Sequence, residues 1–229
     1  MVELKVLSAG AVKRGVSQVA QNFERDTGTR VTVEFTPVPE VRRRVAAGER
    51  VDVIVATPAA MDEFAAQGRI APESRGFVGR SRMGVVVHAK ADAPDVSSTA
   101  AFKRALESAT ALVYNKASSG IYTEKLIEKL GLTHALADKV VVVAQGAAIM
   151  ETVAAKGPGA IGLAQIPEVM VLIEKGCAVK LAAPLPDEIQ NITSYDAAAA
   201  PGAPDGARAL AKSFTSDAAK KIFAAAGIS

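Results

Sequence analysis

The sequence predicts an α/β protein of two lobes, each built on a doubly wound sheet, with two hinge crossings joining them. Three observations predict it. Short apolar, strand-like runs alternate with amphipathic helical segments along nearly the whole chain. Some of those runs, "VDVIVATP" among them, are continuously apolar, the pattern of parallel strands buried on both faces. A last strand-like segment, "ITSYDAAAA", returns after a second α/β series is complete.

In the first lobe, "ELKVLSA" reads as a strand. "VKRGVSQVAQNFERDTG" reads as a helix, with Val12, Val16, Val19, Ala20 and Phe23 on one face and Gly28 as its stop. "RVTVEFTP" alternates like a strand, "PEVRRRVAAG" is a short helix ending at Gly48, "VDVIVATP" a strand and "MDEFAAQG" a helix. The second lobe opens with the strand "RMGVVVHAK". A helix "SSTAAFKRALES" follows, capped by Ser97 or Ser98. The strand "ATALVYN" leads to the helix "SGIYTEKLIEKLG", with Ile121, Leu126, Ile127 and Leu130 inward and Gly131 as its stop. "KVVVVAQG", "AAIMETVAAKG", "GAIGLAQ", "IPEVMVLIEKG" and "AVKLAAPLP" continue the alternation. After the returning strand, "DGARALAKSFTSDAAKKIFAAAGI" makes one or two helices, with Leu210, Phe214, Ala218, Ile222 and Phe223 at helical spacing. The lobes are therefore placed at 1–82 plus 195–229 and at 83–194, with hinges near 82–85 and 191–195 and the ligand cleft between lobes.

Composition removes several classes of function. At 229 residues and 49% hydrophobic, the chain can bury a real core. Aromatic residues make up 4% and Trp is absent, which argues against stacking platforms for bases or sugars. The 27 basic and 24 acidic residues are interspersed, and a net charge of +3 does not call for nucleic acid. Cys177 is the single cysteine, expected to be a buried, inert thiol, so no intramolecular disulfide can form. His88 and His134 lack ligand spacing, so no metal site and no cofactor is expected. The start "MVELKVLSAG" has no signal-like segment. The expected location is cytoplasmic if Met1 is the natural start, and periplasmic if a signal peptide has been removed.

Ligands of open α/β sheets sit beyond the carboxyl ends of strands. Four strand-to-helix loops fit that place: "SAGAVKRG" at 8–15, "TPVPE" at 36–40, "NKASSG" at 115–120 and "AQGAAIM" at 144–150. Their small or rigid residues let an anion approach the free N–H groups and positive end of a helix. Each loop alone is also an ordinary helix start, so the expectation rests on their convergence.

The order and motifs resemble the type II periplasmic binding fold, most closely the molybdate-binding proteins of ABC transporters. The resemblance rests on "VLSAGAV", "RRVAAGERVDVIVATP" with "MDEFAAQGRI", "SSGIYTEKLIEKLGL", "GPGAIGLAQIPEV" and "SDAAKKIFAAAGI". It implies a small anion bound between the lobes, a monomer, and an ABC transporter permease as partner if the protein is exported. In that family two first-lobe serine hydroxyls hold the oxyanion. Here Ala11 and Val38 stand at those places, and Ser8 and Thr36 come too early to replace them. The second-lobe positions correspond to Ser119, Ala147 and Gln165, the last where the family has a tyrosine. The resemblance thus implies ligand contacts at Ala11, Val38, Ser119, Ala147 and Gln165, with backbone donors at Ala11, Ser119 and Ala147, and the loops themselves add Gly10, Lys13 and Ser118 as candidates. Loss of the serine donors argues against molybdate. Lys13, Lys116 and one of Arg42, Arg43 and Arg44 argue for an organic carboxylate.

Two functions of different class follow. One is a solute-binding protein for a small organic (poly)carboxylate. The other is an isomerase like aconitate isomerase, which is similar to the molybdate-binding family and moves a proton along an unsaturated tricarboxylate. For that chemistry Lys13, Glu40, Lys116 and Tyr122 are the candidate acid or base groups. His88, in "VVVHA", reads as a strand histidine. A sensor domain is a third reading, but no DNA-binding helix pair is evident.

Overall fold

Strand residues of alternating facing, flanked by amphipathic helices, build two separate sheets. The computed structural model describes residues 3–229, with the side chain of Ser118 outside the described residues. The chain first forms β1 (Glu3–Ala9), a 3-10 turn (Gly10–Val12), α1 (Lys13–Thr27), β2 (Arg30–Thr36), α2 (Val38–Ala46), β3 (Val53–Ala56), α3 (Pro58–Ala66) and β4 (Gly76–Ser81). It continues through β5 (Met83–His88), α4 (Thr99–Ser108), β6 (Ala111–Asn115), α5 (Ser118–Lys129) and α6 (Thr133–Leu136). β7 (Val140–Val143), α7 (Gly146–Lys156), β8 (Ala160–Gln165), α8 (Ile166–Glu174) and β9 (Val179–Pro184) follow. β10 (Thr193–Ala199), α9 (Asp205–Ser213) and α10 (Asp217–Ala225) end the chain.

These elements separate into two units, Met1–Ser81 with Thr193–Ser229 and Arg82–Ile192. The first holds a five-stranded sheet in the order β2-β1-β3-β10-β4, the second one in the order β7-β6-β8-β5-β9. Within the first, β1, β2 and β3 are mutually parallel and β10 runs antiparallel between β3 and β4. Within the second, β6, β7 and β8 are parallel and β5 runs antiparallel between β8 and β9.

The two-residue period of the strands explains the unbroken apolar runs. On β3, Val53 and Val55 join the core formed with α1, α9 and α10, while Ile54 and Ala56 join the core formed with α2 and α3. On β6, Leu112 and Tyr114 meet α4 and α5, while Ala111 and Val113 meet α7 and α8. Helices therefore cover both faces of each sheet, and both faces must be apolar. Ser98 caps α4 by accepting the Ala101 N–H at 3.2 Å.

Several expectations are corrected. Ile121 does not point inward; it is 52% exposed on the first turn of α5, whereas Leu126 and Ile127 are buried. Cys177 is half-buried rather than buried, and burial raises its thiol pKa. Strand β4 was not foreseen, because "GFVGRS" has two glycines and Phe77 is largely exposed. Pairing creates it: β10 lies along one side, and Arg80 exchanges backbone hydrogen bonds with Ser229. α6 is a single turn, too short to show a period.

Candidate functional site

In each unit the parallel strands bring the expected loops to one edge. Ala9 pairs with Thr36, and Ser8 with Val55, so the loops leaving β1, β2 and β3 lie side by side. Gly10, Ala11 and Val38 are thus neighbours at the carboxyl edge of the first sheet. Asn115 pairs with Val143, and Val113 with Gly162, which sets the ends of β6, β7 and β8 together. Ser119, Ala147 and Gln165 therefore share the carboxyl edge of the second sheet, at the starts of α5, α7 and α8.

The "NKASSG" loop is organised from within. Asn115 is buried, and its Oδ1 accepts the Ala117 N–H at 3.0 Å and the Ser119 hydroxyl at 3.2 Å. This is the Asx pattern that turns a strand end into a helix start. Ser119 is itself 5% exposed, so its one hydroxyl hydrogen is engaged in the loop. Thr123 donates to the Ser119 carbonyl at 2.9 Å. Gly120 lies against the Asn115 carbonyl, where a methyl group would come within 1.5 Å. What the loop offers a ligand is its backbone: helix first-turn N–H groups have no intrahelical acceptor. Ser118 begins α5, and its side chain lies outside the described residues.

The other candidates fall in varied settings. Gly10 is exposed and Ala11 half-buried in the turn before α1. Lys13 is exposed, its ammonium 5.5 Å from the Phe35 ring centroid. Val38 starts α2 and packs into the cores on both faces of the first sheet. Lys116 is exposed, and its backbone N–H extends the sheet by donating to Val143 at 3.0 Å. Ala147 is half-buried in the first turn of α7, and Gln165 is half-buried opposite Met83. Ser8 is fully buried and donates its hydroxyl to the Ala9 carbonyl at 3.1 Å.

The acid and base candidates are mostly engaged. Glu40 receives two hydrogen bonds from Arg43, at 2.7 and 2.6 Å, which hold its carboxyl below the usual range. Tyr122 donates its phenol to the Ile189 carbonyl at 2.8 Å, and burial raises its pKa. The three arginines are ion-paired: Arg42 with Glu63, Arg43 with Glu40, and Arg44 with Glu34 and Glu49. His88 lies at the far end of β5 from Met83, where its Nδ1 accepts the Lys90 N–H. Lys13 and Lys116 belong to different units.

One residue at the second edge was missed. Glu168, in the first turn of α8, holds its carboxyl over Gly146, the first residue of α7. A methyl group at Gly146 would lie 2.1 Å from Glu168 Oε2. Burial alone pushes its pKa up. The sequence signal is an acidic residue in "IPEV" directly after a strand, a position that also reads as ordinary first-turn charge. Among the described residues no group of three or more His, Cys, Asp or Glu could hold a metal ion. No described helix is long and apolar enough to cross a membrane. A hollow of about 370 Å³ lined by Val87, Arg104, Ala105, Ala160 and Ile161 lies at the amino ends of β6 and β8, away from these loops.

Comparison with known proteins agrees with this architecture. The sequence pattern of the bacterial extracellular solute-binding protein family matches residues 4–229. Aconitate isomerase from a Pseudomonas species is 29% identical over 228 residues, covering 96% of this chain and 85% of that protein. A chain described as the substrate-binding domain of a candidate molybdenum ABC transporter from Clostridium difficile superposes with a TM-score of 0.80 at 15% identity. That match covers 99% of this chain and 98% of the other. The periplasmic molybdate-binding protein of Azotobacter vinelandii superposes with a TM-score of 0.71 at 18% identity, again over 99% and 98% of the two chains. The fold is the type II periplasmic-binding-protein fold, as the motifs imply.

Proposed function

We propose that this chain, which belongs to the bacterial extracellular solute-binding protein family, binds a small organic polycarboxylate through helix-start N–H groups. The observation that carries this reading is the meeting of the α5, α7 and α8 starts, with Ser119, Ala147 and Gln165, at one edge of the second sheet. Three helix N-termini at one edge favour an anion. Ala11 and Val38 supply no hydroxyl at the first sheet's edge, which weighs against a tetrahedral oxyanion that needs side-chain donors. Exposed Lys13 and Lys116 add positive charge near their respective loops. In a transport role the partner is an ABC transporter permease and the site of action is outside the cytoplasm.

The test is a thermal-shift panel of citrate, cis-aconitate, trans-aconitate, aromatic acids, sulfate, molybdate and tungstate. A ligand present at 100 times its Kd stabilises the folded state by about 2.7 kcal/mol. Stabilisation by carboxylates supports the proposal. Tight stabilisation by molybdate with none by carboxylates would overturn it.

A second reading is an isomerase of the aconitate type, favoured by the near full-length similarity to aconitate isomerase. Proton transfer along an unsaturated polycarboxylate needs a base beside an acidic C–H and donors for the developing negative charge. Helix-start N–H groups suit the second task. Of the four acid and base candidates, Glu40 and Tyr122 would first have to leave their present partners. Incubation with cis- or trans-aconitate, followed by absorbance and by proton exchange with solvent, decides this reading. Absence of turnover and of exchange would sink it.

A further inference from the structure

We propose that Glu168 is a specificity-determining residue of the second unit's ligand edge, sharing one proton with the bound anion so that binding takes up a proton. This rests on the anion-binding reading above and deepens it. Glu168 belongs to the helix that follows β8, yet its carboxyl reaches across to the first residue of α7, next to Ala147. Only a hydrogen fits on Gly146 while the carboxyl stays where it is. An anion held by the first N–H groups of α7 therefore meets this carboxyl.

Two negative charges cannot share such a place without a proton between them. Glu168 is half-buried, and among the described residues it has neither a hydrogen bond nor an ion pair. Partial burial without a partner disfavours the carboxylate form, so the group stays protonated further up the pH scale than a free glutamate. Charged groups on the surrounding elements do not alter this. α7 carries Glu151, close enough to affect Cys177, and Lys156 in its last turn. β9 carries Lys180 opposite Val87, and β5 carries His88, both toward the end away from Gln165. α8 itself carries Glu174 at its last residue, and β8 has no charged residue. Burial is the only cause that shifts Glu168. As a carboxylic acid it is a donor, and a carboxylate ligand supplies the acceptor.

The consequence is a pH signature that packing alone does not produce. Citrate and cis-aconitate serve as probes, measured by calorimetry between about pH 5 and about pH 9, the span that buried carboxyls can reach. Wild type should lose affinity by up to tenfold per pH unit once Glu168 ionises, with about one proton taken up per ligand in buffers of different ionisation enthalpy. Glu168→Gln keeps a donor and cannot ionise; its affinity should be flat over this range, with proton uptake abolished. Gly146→Ala displaces the carboxyl and should weaken binding and reduce uptake.

The ligand-free protein provides a separate measurement. A carboxyl whose folded pKa is raised contributes stability below its unfolded pKa and loses it as pH rises through the folded value. Wild type should therefore lose stability relative to Glu168→Gln as pH rises above the ordinary glutamate range. Parallel curves for the two proteins would overturn the inference, whatever the ligand. Equal pH slopes and equal proton uptake in the binding experiment would overturn it while leaving anion binding intact. If wild type binds neither probe at any pH, the polycarboxylate reading and this inference fail together, and the ligand-free curves then report only on the carboxyl's state.

Discussion

Gly120 has no room for a side chain, because a methyl group there would lie 1.5 Å from the Asn115 carbonyl oxygen. The clash is with backbone and cannot be relieved by a rotamer change. Gly120→Ala should destabilise the protein by at least about 1–3 kcal/mol, read as a lower urea midpoint. A midpoint within error of wild type would mean that the β6–α5 connection is not held as described. Asn115 makes a second residue-scale case. Asn115→Ala leaves the Ala117 N–H and the Ser119 hydroxyl without their acceptor, at an expected loss of about 1–3 kcal/mol. Ser119→Ala removes one donor and leaves the turn intact, so its loss should be smaller, about 0.5–1.5 kcal/mol. The reverse order would show that the serine, not the asparagine, organises the loop. The sequence drew attention to the serines of "NKASSG"; the asparagine only becomes prominent once its buried side chain is seen accepting from both neighbours.

Pairs of elements are fixed by contacts that no local pattern announces. α1 meets α10 through Gly15, where a methyl group would lie 2.2 Å from the Phe223 ring, itself 1% exposed. Gly15→Ala should cost about 1–3 kcal/mol of stability through overpacking, although alanine is the better helix former. A stabilised variant would show that propensity outweighs the contact. On the other face, Arg44 of α2 bridges Glu34 of β2 and Glu49, and Lys5 of β1 meets the same two carboxylates. Hydrogen bonds from Arg44 and then Lys5 lower the Glu49 pKa from its ordinary 4.5 to about 2. A depressed folded value gives stability that is present above about 4.5 and is lost as pH falls through about 2. The difference in stability between wild type and Glu49→Gln should therefore shrink over that window in acid titration. A constant difference would exclude the ion network as its source. Of the "RRR" run, expected to be mostly solvated surface with one arginine toward a ligand, Arg44 is a tie between β2, α2 and the start of the following connection.

At the scale of the molecule, the second unit is one continuous segment and the first is not. β10 lies between β3 and β4 in the first sheet, and Leu210 of α9, Phe214 just after it and Phe223 of α10 join its core. A fragment of residues 1–81 lacks all of these and should not fold. A fragment of residues 82–192 keeps its whole sheet and both its cores, and should unfold cooperatively in urea. Circular dichroism and hydrogen exchange on the two fragments check this. A cooperative 1–81 fragment would contradict the central role of β10.

The alternation of apolar strands with amphipathic helices determined the α/β class, and the motifs along the chain implied the type II periplasmic-binding-protein fold. That much is local: strand and helix periods are written in neighbouring residues, and buried parallel strands need continuous apolar runs. Glycine stops and the Ser98 cap are local for the same reason. Tertiary structure decided what depends on residues distant in sequence. β4 exists because β10 and Ser229 supply its hydrogen bonds. Ile121 is exposed because it lies on the opposite side of α5 from Ser119, Thr123, Leu126 and Ile127, which are buried. The carboxyl of Glu168 reaches the start of α7 across 22 positions of chain, a meeting visible only when Gly146 is seen beneath it. Periodicity carries the fold because it repeats every few residues; the chemistry at the strand ends depends on single approaches between separate loops, and those have no period.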